Sequence, residues 1–374
     1  MHISAGFDSG NIKVLKADSA DDIQLTINKD HQSDFYQWFH FRLHGQAQQQ
    51  YCLNITNAGG AAYAPEGWQG YQAVASYDRQ TWFRVPTEFD GQTLTITHVQ
   101  EEAICYYAYF APYSWEQHQD LLAGAQESPY CTPIHLGETL DGREMTLLRV
   151  GDEAPGKRKI WVIARQHPGE TMAEWFMEGF IGRLLDDEDG VARALLQDNV
   201  FYLVPNMNPD GSVRGHLRTN AVGVNLNREW QSPSLEKSPE VYLVRQMMEE
   251  KGLDLFLDIH GDEGLPYNFL AGSEGVPSFN TDIKTQQDSF KQALLSVTPE
   301  FQTQYGYAVD EPGQANMTVA CHWVAERFKT LAYTLEMPFK DNADLPDEAF
   351  GWSPPRAMQL GEDVLAALWR HLKG

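Results

Sequence analysis

His167-Pro168-Gly169-Glu170 sets an imidazole and a carboxylate three residues apart, just beyond the apolar run Ile160-Trp161-Val162-Ile163-Ala164. A second histidine, His260, closes another apolar run, Leu255-Phe256-Leu257-Asp258-Ile259. Two imidazoles and one carboxylate are the donor set of a catalytic zinc site that keeps its fourth position open. Hydrolysis there also needs a base to take the proton of water whose pKa the metal has lowered. Glu336 is the candidate, because it follows a third apolar run, Leu331-Ala332-Tyr333-Thr334-Leu335. Arg218 and the pair Asn227-Arg228 add groups suited to anions, since guanidinium captures carboxylates in bidentate fashion. Asn227 and Arg228 would dock a free C-terminal carboxylate, and Arg218 could stabilise the oxyanion of a scissile carbonyl.

These residues serve one site only if the fold brings their segments together. From about residue 113 onward, apolar runs alternate with amphipathic segments. Strands are predicted at 146–150, 160–164, 200–204, 255–259 and 331–335, and helices near 171–185, 239–251, 282–297, 318–328 and 355–372. Such alternation builds a largely parallel sheet covered on both faces, whose strand ends converge on one crevice. His167, His260 and Glu336 each lie at such an end. Asn208-Pro209-Asp210-Gly211 reads as a turn.

The first ~110 residues differ in character. Short runs at 23–27, 35–43, 51–56, 71–77, 93–99 and 104–110 are separated by Gly, Asn, Asp and Pro clusters such as Asn57-Ala58-Gly59-Gly60. Evenly spaced short strands with turn signals predict an all-β sandwich. We therefore expect two domains, residues 1–112 and 113–374.

Composition bounds the function. The 28 basic residues against 52 acidic ones give a net charge of -24, which repels nucleic acid and anionic membranes. No apolar run is long enough to span a bilayer, and the first residues do not read as a secretory signal, so cytoplasmic residence is expected. Cys52, Cys105, Cys131 and Cys321 lie far apart without a CxxC pair, as expected of free thiols rather than a disulfide framework.

Together the motifs resemble a known family. HxxE (His167, Glu170), NPDG (208–211), the Asn227-Arg228 pair, the strand-terminal His260 and the late Glu336 occur in the order of the M14 metallocarboxypeptidases. The chain is more narrowly similar to cytosolic carboxypeptidases, in which an aromatic stretch like Tyr106 to Ser114 joins a β-sandwich to the catalytic domain. The resemblance implies an α/β/α sandwich with a mixed eight-stranded sheet. It implies one Zn2+ held by His167, Glu170 and His260, with Glu336 as general base and acid. It also implies Asn227 and Arg228 on the substrate's terminal carboxylate, and Arg218 on the oxyanion. The expected reaction removes the C-terminal residue of a peptide or protein, through a peptide or isopeptide bond. A metallo-acylase acting on small N-acyl amino acids, or a catalytically idle partner-binding protein, are the alternatives. Three departures stand out. Asn225 replaces the Asp that partners a zinc histidine in digestive-type members. The mobile active-site tyrosine has only Tyr305 and Tyr307 as candidates. The sequence His260-Gly261-Asp262-Glu263 is less basic than its counterpart in eukaryotic cytosolic members.

Overall fold

A computed structural model describes residues 1–373. Ten strands precede the first α-helix: β1 (His2–Ser4), β2 (Lys13–Lys16), β3 (Ile23–Thr26), β4 (His40–His44), β5 (Gln49–Ile55), β6 (Val74–Ser76), β7 (Phe83–Arg84), β8 (Thr87–Phe89), β9 (Leu94–Gln100) and β10 (Ile104–Ala108). They form two five-stranded sheets, ordered β1-β4-β10-β6-β7 and β2-β3-β5-β9-β8. Period-two burial explains the pairing: Tyr51, Leu53 and Ile55 of β5 are buried while Cys52 and Asn54 between them are not. The run predicted as a strand over 35–43 becomes one only at His40. Before that, the main chain bonds to scattered partners instead of a ladder: Asp30 N–H donates to the Phe35 carbonyl (2.9 Å), Ala62 N–H to that of Tyr36 (3.0 Å) and Tyr109 N–H to that of Phe39 (2.9 Å). The Trp38 indole N–H donates to the Ser9 carbonyl (2.9 Å) and the Gln37 amide donates to the Tyr109 hydroxyl (2.9 Å).

After helix α1 (Trp115–Ala125), which opens on a reciprocal Ser114–Gln117 capping box, the chain builds a mixed sheet. Its strands are β11 (Cys131–Glu138), β12 (Glu144–Val150), β13 (Arg158–Ala164), β14 (Asn199–Val204), β15 (Leu255–Asp262), β16 (Phe269–Ala271) and β17 (Leu331–Pro338). Their order is β11-β12-β14-β13-β15-β17-β16, with β14, β13, β15 and β17 parallel. Seven strands stand where eight were expected. At the far edge, only a single bridge joins Asn268 to Phe301. The chain then turns away because the Gln302 side-chain oxygen accepts from the N–H groups of Gln304 and Tyr305 (both 2.7 Å).

The remaining helices are α2 (Met172–Leu184), α3 (Gly190–Asp198), α4 (Pro209–Arg214), α5 (Pro239–Lys251), α6 (Thr281–Leu295), α7 (Ala320–Phe328) and α8 (Pro354–Lys373). The predicted turn at 208–211 is the start of α4. Asn208 caps it by accepting from Gly211 N–H (3.1 Å), and Pro209 takes the first helical position. Strand β13 shows how the sheet is covered. Ile160, Val162 and Ala164 share one core with α2 and α8, while Trp161 and Ile163 share the other with α5 and α7. Helices α2 and α8 cross at glycine: a Cβ on Gly179 would strike the backbone of Met358, and one on Gly361 that of Phe176. No described helix is long and apolar enough to cross a membrane. All four cysteines are free, three of them buried.

Candidate active site

The His167-Pro168-Gly169-Glu170 turn leaves β13 through Arg165, whose backbone takes a left-handed φ of 57°. That conformation costs a non-glycine residue roughly 1 kcal/mol. The buried guanidinium compensates by donating to the carbonyls of Pro168 (3.0 Å) and Tyr113 (2.9 Å) and to Glu174 (2.6 Å). Gly169 N–H donates to the Leu217 carbonyl (2.9 Å), an approach so close that a Cβ at 169 would meet the same oxygen. The turn is thus fixed at both ends before any ligand is considered.

Strand β15 delivers His260. Its ring and that of His167 lie 4.9 Å apart, and one donor atom from each of His167, Glu170 and His260 falls within 4.8 Å of the others. Glu170 sits between them, with Oε1 2.6 Å from His167 Nδ1 and Oε2 2.8 Å from His260 Nδ1. The far nitrogens face acceptors: His167 Nε2 is 3.1 Å from Asn225 Oδ1, and His260 Nε2 is 3.0 Å from Asp258 Oδ2. A proton on each Nε2 leaves both Nδ1 lone pairs aimed at one carboxylate. Three such donors facing one another are satisfied by a cation, so the residues fit a metal ion.

The electrostatics treat the two rings differently. Burial pushes His167 down to about 4, helped by the charge of Arg218, so it stays neutral as a ligand must. Burial also opposes charge on His260, but Asp258 and Glu170 outweigh it and raise the ring well above its ordinary value. Burial likewise opposes ionisation of Glu170, and here the two histidines prevail, lowering its pKa.

Asp258 was not singled out in the sequence. It lies two residues before His260, so strand periodicity puts both side chains on one face. The Gln166 amide donates to the same Asp258 oxygen (2.7 Å) and is itself held by the Trp230 indole (2.8 Å). An Asp-x-His pattern inside an apolar strand was the available signal.

Glu336 pairs in register with His260 across β15 and β17. Burial pushes its carboxyl up to about 8. Oε1 accepts from the Tyr307 hydroxyl (3.1 Å), and Oε2 is buried without a partner. Of the two tyrosine candidates, Tyr307 is the one beside the site, its hydroxyl also 2.6 Å from Asp262. Tyr305 stacks instead on Tyr267 at 4.4 Å. Past Tyr307 opens a cavity of about 390 Å³, lined by Phe269, Gly272, Glu274, Lys291 and His322 among others. Lys291 lies 3.7 Å from Glu274, so it is not a lone cation.

Arg218, Asn227 and Arg228 come from the connection between α4 and α5. The Asn227 side-chain oxygen Oδ1 accepts from Ala320 N–H (2.8 Å), and Arg228 donates to the Asn227 main-chain carbonyl (2.6 Å). Arg218 donates to the Tyr63 hydroxyl. Arg228 is lowered by burial and then by Arg218, so the two charges feel each other. Among the described residues neither arginine is ion-paired, in a chain whose acidic residues outnumber its basic ones 52 to 28.

Comparison with known proteins agrees with this geometry. The model of a cytosolic carboxypeptidase N-terminal domain matches residues 3–110, and that of zinc carboxypeptidase matches 118–366. A metallo-carboxypeptidase structure from Burkholderia cenocepacia is 49% identical with a TM-score of 0.97, covering 100% of this chain and 99% of that one. A metallo-carboxypeptidase from Pseudomonas aeruginosa, solved with (2-guanidinoethylmercapto)succinic acid, is 46% identical with a TM-score of 0.97 over the same shares of the two chains. Mouse cytosolic carboxypeptidase 3 is 28% identical over 79% of this chain, which spans only 32% of that longer relative. The chain therefore belongs to the zinc carboxypeptidase family, as a metallocarboxypeptidase that carries a cytosolic carboxypeptidase N-terminal domain.

Proposed function

We propose that the protein hydrolyses the C-terminal peptide or isopeptide bond of a peptide or protein, using one zinc ion, and that its two domains divide near residue 112. The observation that carries this reading is the pair of arginines without carboxylate partners beside a three-donor metal cluster and a buried carboxyl. Endopeptidases have no need of cations reserved for a free terminus.

His167, Glu170 and His260 would hold the zinc, with Asp258 and Asn225 orienting the two imidazoles. The bound metal supplies Lewis acidity and lowers the pKa of water toward ~7. Arg228, with the free amide N–H groups of Asn227, binds the terminal carboxylate. Arg218 donates to the scissile carbonyl oxygen as negative charge develops there. Glu336 takes the proton of the attacking water and delivers it to the departing amine nitrogen as the C–N bond breaks. A carboxyl raised by burial to about 8 suits both roles, and with a cation held by His167, Glu170 and His260 it would fall toward the range where it acts as a base. Tyr307 stands at the junction of Glu336 and the cavity, where its hydroxyl can bond to the substrate main chain. The cavity would take the side chain of the released residue, and its balanced Glu274–Lys291 pair argues against a strong preference for acidic ones. The Pseudomonas relative's succinic acid ligand carries the carboxylates such a site would grip. The acidic surface and the cytosolic relatives favour action in the cytoplasm on peptides, not on nucleic acid or membranes.

The test is a zinc-loaded preparation offered peptides with free C-termini beside small N-acyl amino acids. Release of a single C-terminal residue is expected. Hydrolysis of acyl amino acids alone would point to the acylase, and inertness toward both to the idle partner-binding protein.

A further inference from the structure

The 216–219 loop belongs to the catalytic half, yet the N-terminal half holds it. Asp30, buried in the connection between β3 and β4, gathers four donors on its two oxygens. Leu217 N–H reaches Oδ1 (2.7 Å), while Arg218 N–H (2.9 Å), Thr219 N–H (2.9 Å) and the Thr219 hydroxyl (3.0 Å) reach Oδ2. His31 N–H donates to His216 Nε2 (3.0 Å), so the proton of that ring lies on Nδ1 and goes to the Thr219 carbonyl (2.9 Å). The Arg218 side chain is held from the same side. Its guanidinium donates to the Tyr63 hydroxyl and lies 5.6 Å and 5.7 Å from the ring centres of Phe35 and Tyr63. The loop then passes this order on, because the Leu217 carbonyl accepts from Gly169 N–H inside the His167–Glu170 turn.

We propose that Tyr63 and Asp30 are positioning residues for Arg218, and that the active site is completed across the domain boundary. Asp30 fixes the main chain of the loop and Tyr63 fixes the guanidinium. The choice of a phenol matters. An arginine side chain has many rotamers, so an unheld one would not be preorganised. A carboxylate partner would hold it but neutralise the charge the reaction needs. A neutral hydroxyl, with two aromatic rings facing the guanidinium, holds it and leaves the charge for the substrate. The proposal rests on the reading of Arg218 as the group that meets the developing oxyanion.

The experiment is a double-mutant cycle in the full-length, zinc-loaded protein, with Tyr63→Phe, Arg218→Ala and the double variant. It reads kcat and KM for release of a C-terminal residue, alongside zinc content and thermal midpoint. Tyr63→Phe keeps the ring and removes only the hydroxyl. It is expected to lower kcat about tenfold with KM little changed. Arg218→Ala should lower kcat by about 10²–10³, and adding Tyr63→Phe should then change nothing further. Such non-additivity identifies a group acting through Arg218, which a merely structural tyrosine would not produce. An unchanged kcat in Tyr63→Phe overturns the proposal, as does a full additional loss in the double variant, which would mean that Tyr63 acts independently. If the wild type itself releases no C-terminal residue, the reading beneath it falls as well. An active wild type beside an unaffected Tyr63→Phe variant sinks the positioning role alone.

Discussion

In the proposed reaction Glu336 acts first as a base and then, as the C–N bond breaks, as an acid. Its buried setting, one hydroxyl partner and one bare oxygen keep both forms accessible. Glu336→Gln preserves shape and removes the proton carrier. Turnover should fall by about 10²–10⁴-fold while zinc content stays that of the wild type; comparable turnover would reassign the base. Asn225 offers a second test. Its carbonyl oxygen accepts from His167 where a carboxylate would raise the basicity of the ring more strongly. Asn225→Asp should therefore tighten zinc, and Asn225→Ala weaken it by about 10–100-fold, as read by competition with a chelator. The candidate ligands, Glu336 and the Asn-Arg pair could be proposed from the sequence because each combines a distinctive residue type with a strand end or a motif. Asp258 was not singled out, although it stands two residues before His260 on the same face of the strand. Asp30 and Tyr63 were beyond reach for a plainer reason: their partners lie more than 150 positions away, and only the tertiary fold brings them together.

Among the elements, β15 and β17 matter most, since their parallel register alone sets His260 beside Glu336. A slip of one residue would turn every side chain of a strand to the opposite face. Helix α5 carries a separate lesson in magnitudes. Glu240 lies in its first turn, where the helix dipole favours a charged carboxylate by about 0.3–1 kcal/mol. Burial is the larger effect and pushes the group up to about 8. The folded state thus holds a proton that the unfolded chain releases near pH 4.5. The stabilisation is full below that pH and is lost as pH rises toward 8. Glu240→Gln removes the titration, so the stability of the variant relative to wild type should grow between pH 5 and pH 8 by more than ~1 kcal/mol. Denaturant unfolding at the two pH values checks it, and a difference independent of pH would contradict the assignment. Helices α2, α5, α6, α7 and α8 and the central strands could be read from their apolar period, whereas α1 and α3 were not predicted and α4 was read as a turn. Residues 35–39 and the missing eighth strand could not be read, because scattered main-chain and side-chain hydrogen bonds stand there in place of a regular ladder.

At the scale of the molecule, the N-terminal half and one face of the catalytic sheet share a continuous core. Tyr109 stacks on Phe339 at 4.5 Å, three residues beyond Glu336. Arg84 spans the boundary, donating to the carbonyls of Gln72 on its own side and of Phe339, Lys340, Phe350 and Trp352 on the other. A lysine cannot reach all of these, and carbonyls left bare cost about 1–3 kcal/mol. Arg84→Lys should accordingly lower the unfolding midpoint while both halves still melt in one transition; two separate transitions would show that the halves are energetically independent. The change of composition near residue 112 announced two folding patterns, but not that they would share a core, because period and turn signals report local structure only. The most direct test of the whole account is mass spectrometry of two peptides identical but for their C-termini, one free and one amidated, after incubation with the zinc-loaded protein. The account requires loss of a single C-terminal residue from the free peptide and an intact amidated one, and cleavage of both at equal rates, or at an internal bond, would contradict it.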